Sequence, residues 1–230
     1  MSARHLIAAA VLLGGGALAA QDAPESAGFL WRLGTDTTEI ERFTRAPGRL
    51  AGVHLTRVPR TTLREWSAEL APDGSVRRFE QTVRREGTVV SHRVITFARD
   101  GATEVVTRGD STVTRTFAVP AGTLPDLPNS YAFYELALRR AGRRDSLVLS
   151  LLEPGADAVS LASFTRAAGD TVIVQLEGLP AITARVDREG RILRADNLGR
   201  IVERVPAPDV HALAAAFGPR PLGALSPRDT

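Results

Sequence analysis

From Phe29 to Val119 the chain is cut into short β-rich segments by turn signals at Pro47-Gly48, Pro72-Asp73-Gly74, Arg85-Glu86-Gly87, Arg99-Asp100-Gly101 and Arg108-Gly109-Asp110. Segments rich in Val, Thr, Ile and Phe between such turns form successive antiparallel hairpins, and a helical crossover to a parallel strand has no room here. Within the segments the period is two. Phe79 and Val83 oppose Glu80, Thr82 and Arg84, which is the alternation of a sheet with one dry and one wet face. Val113, Phe117 and Val119 likewise share a face with Arg115, opposite Thr112, Thr114 and Thr116, and predict a half-buried strand.

A break follows at Pro120–Pro128, where Pro120, Gly122, Pro125 and Pro128 interrupt strand pairing. The next segment, Ser130 to Arg143, reads as a helix. Tyr131, Tyr134, Leu138 and Ala141 fall on one face, Arg139, Arg140, Arg143 and Arg144 crowd the C-terminal end, and Asn129 or Ser130 is placed to cap the start. Strands resume at 146–152, 158–166, 171–177, 182–187, 192–196 and 200–205, with turns at Gly169-Asp170, Glu189-Gly190 and Asn197-Leu198-Gly199. After Pro206 and Pro208, Asp209 caps a short helix over 209–217, whose Val210, Leu213, Ala214 and Phe217 form an apolar stripe able to dock on the sheet. The expected fold is mainly β: roughly a dozen strands in meander order, forming a strongly curved antiparallel sheet. This half-barrel or open barrel carries one helix near 130–143 and a short C-terminal helix near 209–217.

The first residues carry an address. Arg4 and His5 precede an apolar run from Leu6 to Leu18, closed by Ala17-Leu18-Ala19, the order of a secretory signal peptide. The run is about 13 residues, shorter than the roughly 20 that span a membrane. The expected plan is a signal peptide at 1–19, a single β-rich domain at 20–218 and a tail or linker at 219–230, soluble in the periplasm or outside the cell. No integral membrane segment is expected once the leader is removed. Cysteine is absent, which excludes disulfides, thiolate metal sites and a lipid-attachment cysteine. That absence favours a bacterial envelope protein over a secreted animal domain.

Charge excludes another class. All 29 basic residues are arginine, against 26 acidic ones, for a net charge of +3. The two signs are interleaved, as at Glu39, Glu41, Arg42 and Arg45, so no stripe exists to follow a phosphate backbone and nucleic acid is not an expected partner. Arginine without lysine fits a GC-rich coding bias.

No motif for chemistry emerges. His54, His92 and His211 have no second ligand at metal-binding spacing, the G-x-S-x-G elbow is missing, and without lysine there is no phosphate loop. Neither a metal nor a cofactor is expected. Glu65, Glu69, Glu80 and Glu104 sit on strands beside arginines and read as solvated cross-strand pairs. Arg108-Gly109-Asp110 reads as a hairpin turn before it reads as an adhesion tripeptide. The bulky amphipathic residues Trp31, Trp66, Tyr131 and Tyr134 are the candidates for a ligand pocket, with core packing as their alternative role.

The order of hairpins, Pro-rich break, helix and second set of hairpins over about residues 29–205 resembles the curved half-barrel of bacterial envelope proteins related to the lipoprotein carrier LolA, and several domains of unknown function. The tail Leu225-Ser226-Pro227-Arg228-Asp229-Thr230 is similar to junctions after which a further β domain begins, which implies the N-terminal part of a two-domain envelope protein. Three functions follow in order: a non-catalytic exported module that binds an envelope partner or serves as an accessory domain; a carrier of an apolar or lipid-like ligand in the concave face; a hydrolase with a spatially assembled site. The helix discriminates the first two. Lodged in the concavity it makes a packed core; at the rim it leaves a cavity.

Overall fold

The computed structural model describes residues 24–57, 60–154 and 158–212. The leader, the tail and the continuation of the C-terminal helix, with Leu213, Ala214 and Phe217, lie outside them. Among the described residues the chain forms one sheet of fifteen strands. Eight precede the helix: β1 (Glu25–Leu33), β2 (Asp36–Ala46), β3 (Arg49–Thr56), β4 (Thr62–Leu70), β5 (Val76–Arg85), β6 (Thr88–Phe97), β7 (Ala102–Arg108) and β8 (Ser111–Phe117). A two-residue β9 (Leu124–Pro125) leads into α1 (Tyr131–Ala141). Then follow β10 (Ser146–Leu152), β11 (Val159–Arg166), β12 (Thr171–Leu176), β13 (Ile182–Val186), β14 (Ile192–Asn197) and β15 (Arg200–Pro206).

Each strand pairs with its sequence neighbour, antiparallel, in two runs: β1 to β8 and β10 to β15. The runs join where β1 pairs β15, from Ala27 opposite Pro206 to Arg32 opposite Ile201. The expected mainly β, curved antiparallel meander is therefore what forms, with three more strands than a dozen. One of the extra pairings lies inside the Pro-rich break. Leu124 and Pro125 lie parallel to Leu151 and Leu152, an edge position where proline's missing donor costs nothing.

Turn chemistry matches the sequence closely. Arg108 faces Ser111 across the Gly109-Asp110 turn, so the adhesion-like tripeptide is a hairpin. At Asn197-Leu198-Gly199-Arg200, Leu198 and Gly199 both take positive φ, 56° and 78°, as a two-residue primed turn requires. Leu198 is an awkward occupant, since a Cβ in the left-handed region costs about 1–2 kcal/mol, and its side chain is exposed. Leu198→Asn should raise stability by about 1 kcal/mol, read as a higher Tm with an unchanged far-UV spectrum.

The core lies between the concave face and α1. Phe29, Trp31, Phe43, Leu50, Trp66, Phe79 and Ile95 from the first run meet Val172, Val174, Ala184, Ile192 and Val202 from the second, with the helix between. The helix is buried almost all round, from Tyr131 through Leu138 and at Ala141, rather than on one stripe, because the sheet wraps it. A helix so enclosed leaves no room for extra atoms at its floor. Gly52, opposite both Phe43 and Trp66, is a case in point: a Cβ there would sit 2.5 Å from the Arg42 carbonyl oxygen and 2.5 Å from Trp66 Cζ2. Gly52→Ala should cost about 2–3 kcal/mol by overpacking, measured by urea unfolding.

The convex face carries a second, smaller cluster. Ile40 and Leu55 bury Val210 at the start of the C-terminal helix, whose first turn is capped as expected by Asp209, the acceptor for the amides of His211 (3.1 Å) and Ala212 (3.0 Å). At the far end, β8 departs from expectation. Val113 is exposed rather than half-buried, because β8 is the last strand of its run and the helix does not reach it. No helix among the described residues is long and apolar enough to cross a membrane.

Candidate functional site

The concave face holds two polar regions: a set of buried ties to the helix, and an open cavity beside it. The ties begin at the helix N-terminus, whose first amides lack intrahelical acceptors. Ser130 occupies the cap position but its side chain makes no cap hydrogen bond, contrary to the sequence expectation. Glu41 of β2 supplies the acceptors instead. Its carboxyl group receives the Ser130 hydroxyl and, at 3.2 Å, the Ala132 amide. Full burial pushes the Glu41 pKa up to about 8, against the opposing pull of Ser130 and Ala132. Asn129 is likewise used elsewhere, donating to Glu39 at 3.1 Å.

Glu39 also accepts from His54 Nε2 at 3.1 Å and from Arg200 at 3.2 Å. Burial would raise its pKa, but the His54, Asn129 and Arg200 contacts together hold it below the usual value. His54 is buried and stacked on Trp31, ring centroids 5.3 Å apart. Burial lowers its pKa despite Glu39. A neutral imidazole donating Nε2–H to Glu39 accounts for both, with Nδ1 facing no hydrogen-bond partner.

One turn further along the helix, Glu135 lies fully buried between Arg45 of β2 (2.9 Å) and Arg204 of β15, and accepts the Ile192 amide at 2.9 Å. Glu25 of β1 closes the network, 2.7 Å from Arg45, 2.6 Å from Arg204 and 3.0 Å from Arg139. The two guanidinium groups also face the Phe43 ring, at 5.3 and 5.5 Å. One helix thereby binds both runs of the sheet.

The candidate pocket residues are all interior. Tyr131 packs against Trp31 (5.4 Å) and Tyr134 (5.2 Å), while Trp66 packs 5.0 Å from Phe133. Trp31, Tyr131 and Tyr134 thus come together, and Trp66 sits apart across the helix. Burial raises both tyrosine pKa values. The helix occupies the concavity.

Beyond the helix, the concave face of β4 to β7 opens into a cavity of about 450 Å³. Arg64, Arg85, Arg93 and Arg108, one from each strand, line it with Gln81 and Ser91, and Asp126 forms part of the opposite wall. Arg93 is buried, and its Nε lies 3.1 Å from Glu104 Oε1. The pair is too misaligned to share a hydrogen bond, leaving both Glu104 oxygens without one. Glu104 is thus buried, a correction to its reading as a solvated acid. Glu65, with Arg84 at 2.9 Å, and Glu80, with Arg78 at 2.7 Å and His92 at 2.9 Å, do form solvent-facing pairs. Burial lowers the Arg64 and Arg93 pKa values, with Arg85 and Arg108 respectively adding repulsion. Burial and Glu153 push the Asp126 carboxyl up to about 6.

These arginines were not singled out in the sequence. The available signal was phase: Arg93 is two residues before Ile95, and Gln81, Val83 and Arg85 continue the buried face of Phe79. A cation in step with core residues marks a charged stretch of an otherwise dry face. Among the described residues no group of His, Asp and Glu is placed to hold a metal.

No protein-family model matches the chain, and comparison with curated proteins finds no match. Among solved structures, a DUF1089 family protein from Pseudomonas aeruginosa has a similar fold, with a TM-score of 0.54 and 15% identity over 72% of this chain and 91% of that one. A β-barrel-like protein of the domain of unknown function DUF1849 from Brucella abortus aligns at a TM-score of 0.46 and 13% identity, over 80% of this chain and 95% of that one. The likeness to the first is one of fold: a β-rich module shaped like a domain of unknown function.

Proposed function

We propose that this chain is an exported, non-catalytic module of the bacterial envelope that acts by binding, as an accessory domain of a larger protein or assembly. The observation that carries this reading is how the interior's reactive groups are used. Glu41 and the Ser130 hydroxyl are committed to each other at the helix start, Glu135 is held between Arg45 and Arg204, and His54 is buried against Trp31 and Glu39. An acid, a base and a hydroxyl held in this way stabilise a scaffold and are shielded from a substrate.

Export is supported by the order of charge, apolar run and small residues in 1–19, and by the lack of cysteine. The element order over residues 29–205, which in the sequence resembles that of LolA-related carriers, supports an envelope role. The Pro- and Gly-containing 219–230 segment supports a linker to a further domain.

Fractionation of a Gram-negative host expressing the full chain tests the first part. The expected product is a periplasmic protein whose intact mass begins at Ala20; a cytosolic chain beginning at Met1 overturns export. The second part is tested with chromogenic ester, phosphate and glycoside substrates. Turnover that disappears in His92→Ala, or in a His54→Ala variant that keeps its far-UV spectrum and Tm, would establish catalysis and overturn the binding reading.

A further inference from the structure

We propose that the cavity on β4 to β7 is an oxyanion site, taking a phosphate or carboxylate group against Arg64, Arg85, Arg93 and Arg108, with the hydroxyl or amine donors of the same ligand turned toward Asp126. This names the ligand class of the binding module proposed above and rests on that reading.

Four adjacent strands each contribute one guanidinium group to the same concavity. Such convergence is costly in a partly dry site, because burial disfavours charge and the cations repel one another. Asp126 and Glu153 also line the cavity, and Glu153 draws Arg93 electrostatically, so four guanidinium groups share the concavity with two carboxyl groups and the charge is offset only in part. Glu104 lies 3.1 Å from Arg93 Nε but is not aligned to accept a hydrogen bond from it. Glu39, which draws Arg64 electrostatically, is already engaged by His54, Asn129 and Arg200. The unmet requirement is for an acceptor with several oxygen atoms, and the planar guanidinium fork is the side chain that binds such groups in pairs of parallel hydrogen bonds.

Size and surroundings narrow the class. A volume of about 450 Å³ is in the range of small-molecule sites and exceeds what a lone phosphate fills. The lining is polar, with Gln81 and Ser91 beside the arginines, so an acyl chain is a poor occupant. Asp126, on the facing wall, offers acceptors to hydroxyl or amine groups. The site therefore suits a phosphorylated or carboxylated polyol or amino compound, either as a free solute or as the headgroup of a lipid.

The test compares the wild-type chain with Arg85→Gln/Arg108→Gln. Both positions are exposed at the cavity mouth, outside the helix-binding network, so the variant retains its fold, verified by an unchanged far-UV spectrum. Titration with inorganic phosphate, against sodium chloride at equal ionic strength, reads the free-solute arm. Co-sedimentation with vesicles of phosphatidylcholine, with and without phosphatidylglycerol, reads the headgroup arm.

Saturable phosphate binding weakened at least tenfold in the double variant supports a soluble oxyanion. Binding to phosphatidylglycerol vesicles alone, weakened to the same degree, supports a headgroup. No binding in either arm, or binding undiminished by the substitutions, overturns the site. That failure leaves the periplasmic mass and the substrate screen unaffected, so it is distinguishable from failure of the broader reading.

Discussion

Glu135→Ala is expected to destabilise the fold by about 3–5 kcal/mol, the cost of stripping one partner from a buried ionic network. The substitution leaves the guanidinium groups of Arg45 and Arg204 short of their central counter-charge and the Ile192 amide without its acceptor. With a urea m-value of about 2 kcal/mol/M for a domain of this size, the unfolding midpoint should fall by about 2 M. Glu203→Ala is the matched control. Its partners Arg32 and Arg194 are about half exposed, and such pairs contribute under about 1 kcal/mol. Equal losses in the two variants would show that Glu135 does not tie the helix to the sheet.

Glu41 gives a second large effect, one that appears only on changing pH. Its carboxyl has a pKa of about 8 in the folded chain against an ordinary 4.5. The folded state therefore holds this proton more tightly than the unfolded state. The resulting stabilisation is complete below pH 4.5, declines as pH rises, and is lost once pH passes 8. At about 1.4 kcal/mol per pH unit the total is about 4–5 kcal/mol. Glu41→Gln removes the titration, so wild-type stability relative to the variant should drop by that amount between pH 4.5 and 8. The difference between the two proteins isolates Glu41 from Asp126, whose raised pKa of about 6 tilts both curves in the same sense. Parallel curves would place the titration elsewhere.

The two carboxyl groups also mark where sequence reading stops. Strands in the second run begin and end within about a residue or two of their expected bounds, because turns such as Glu189-Gly190 are local signals. The helix, too, was legible from its apolar spacing. What holds it was not. Glu41 lies 89 residues from Ser130, and Glu135 lies 69 from Arg204, and no pattern within a strand announces a partner at that distance. Ser130 has the right chemistry for a local cap, but the closing sheet supplies a carboxyl group that takes both its hydroxyl and the amide it would have served.

The same limit explains β8 and the cavity. Alternation tells which residues share a face, and it placed Arg115 with Val113 and Phe117 correctly. It does not tell how far the covering helix extends. Past the reach of α1 the concave face remains concave but is no longer dry, so Val113 is exposed and the arginines of β4 to β7 line a cavity. Trp31, Trp66, Tyr131 and Tyr134 stood out for their bulk, whereas the accessible polar surface is built from residues that a strand pattern treats as ordinary.

The pairing of β1 with β15 has a consequence for how the molecule is made. Nearly every other ladder joins neighbours in the chain and can form as soon as both strands are free to fold, which favours rapid local assembly. The β1–β15 seam cannot. Until Arg200–Pro206 emerges, one side of β1 is an unpaired row of amides and carbonyls, and Glu135 waits for Arg204. The last of the fifteen strands to be made is thus the one that turns two hairpin stacks into one cooperative unit, and a chain arrested before it would present β1 as a template for illicit strand addition.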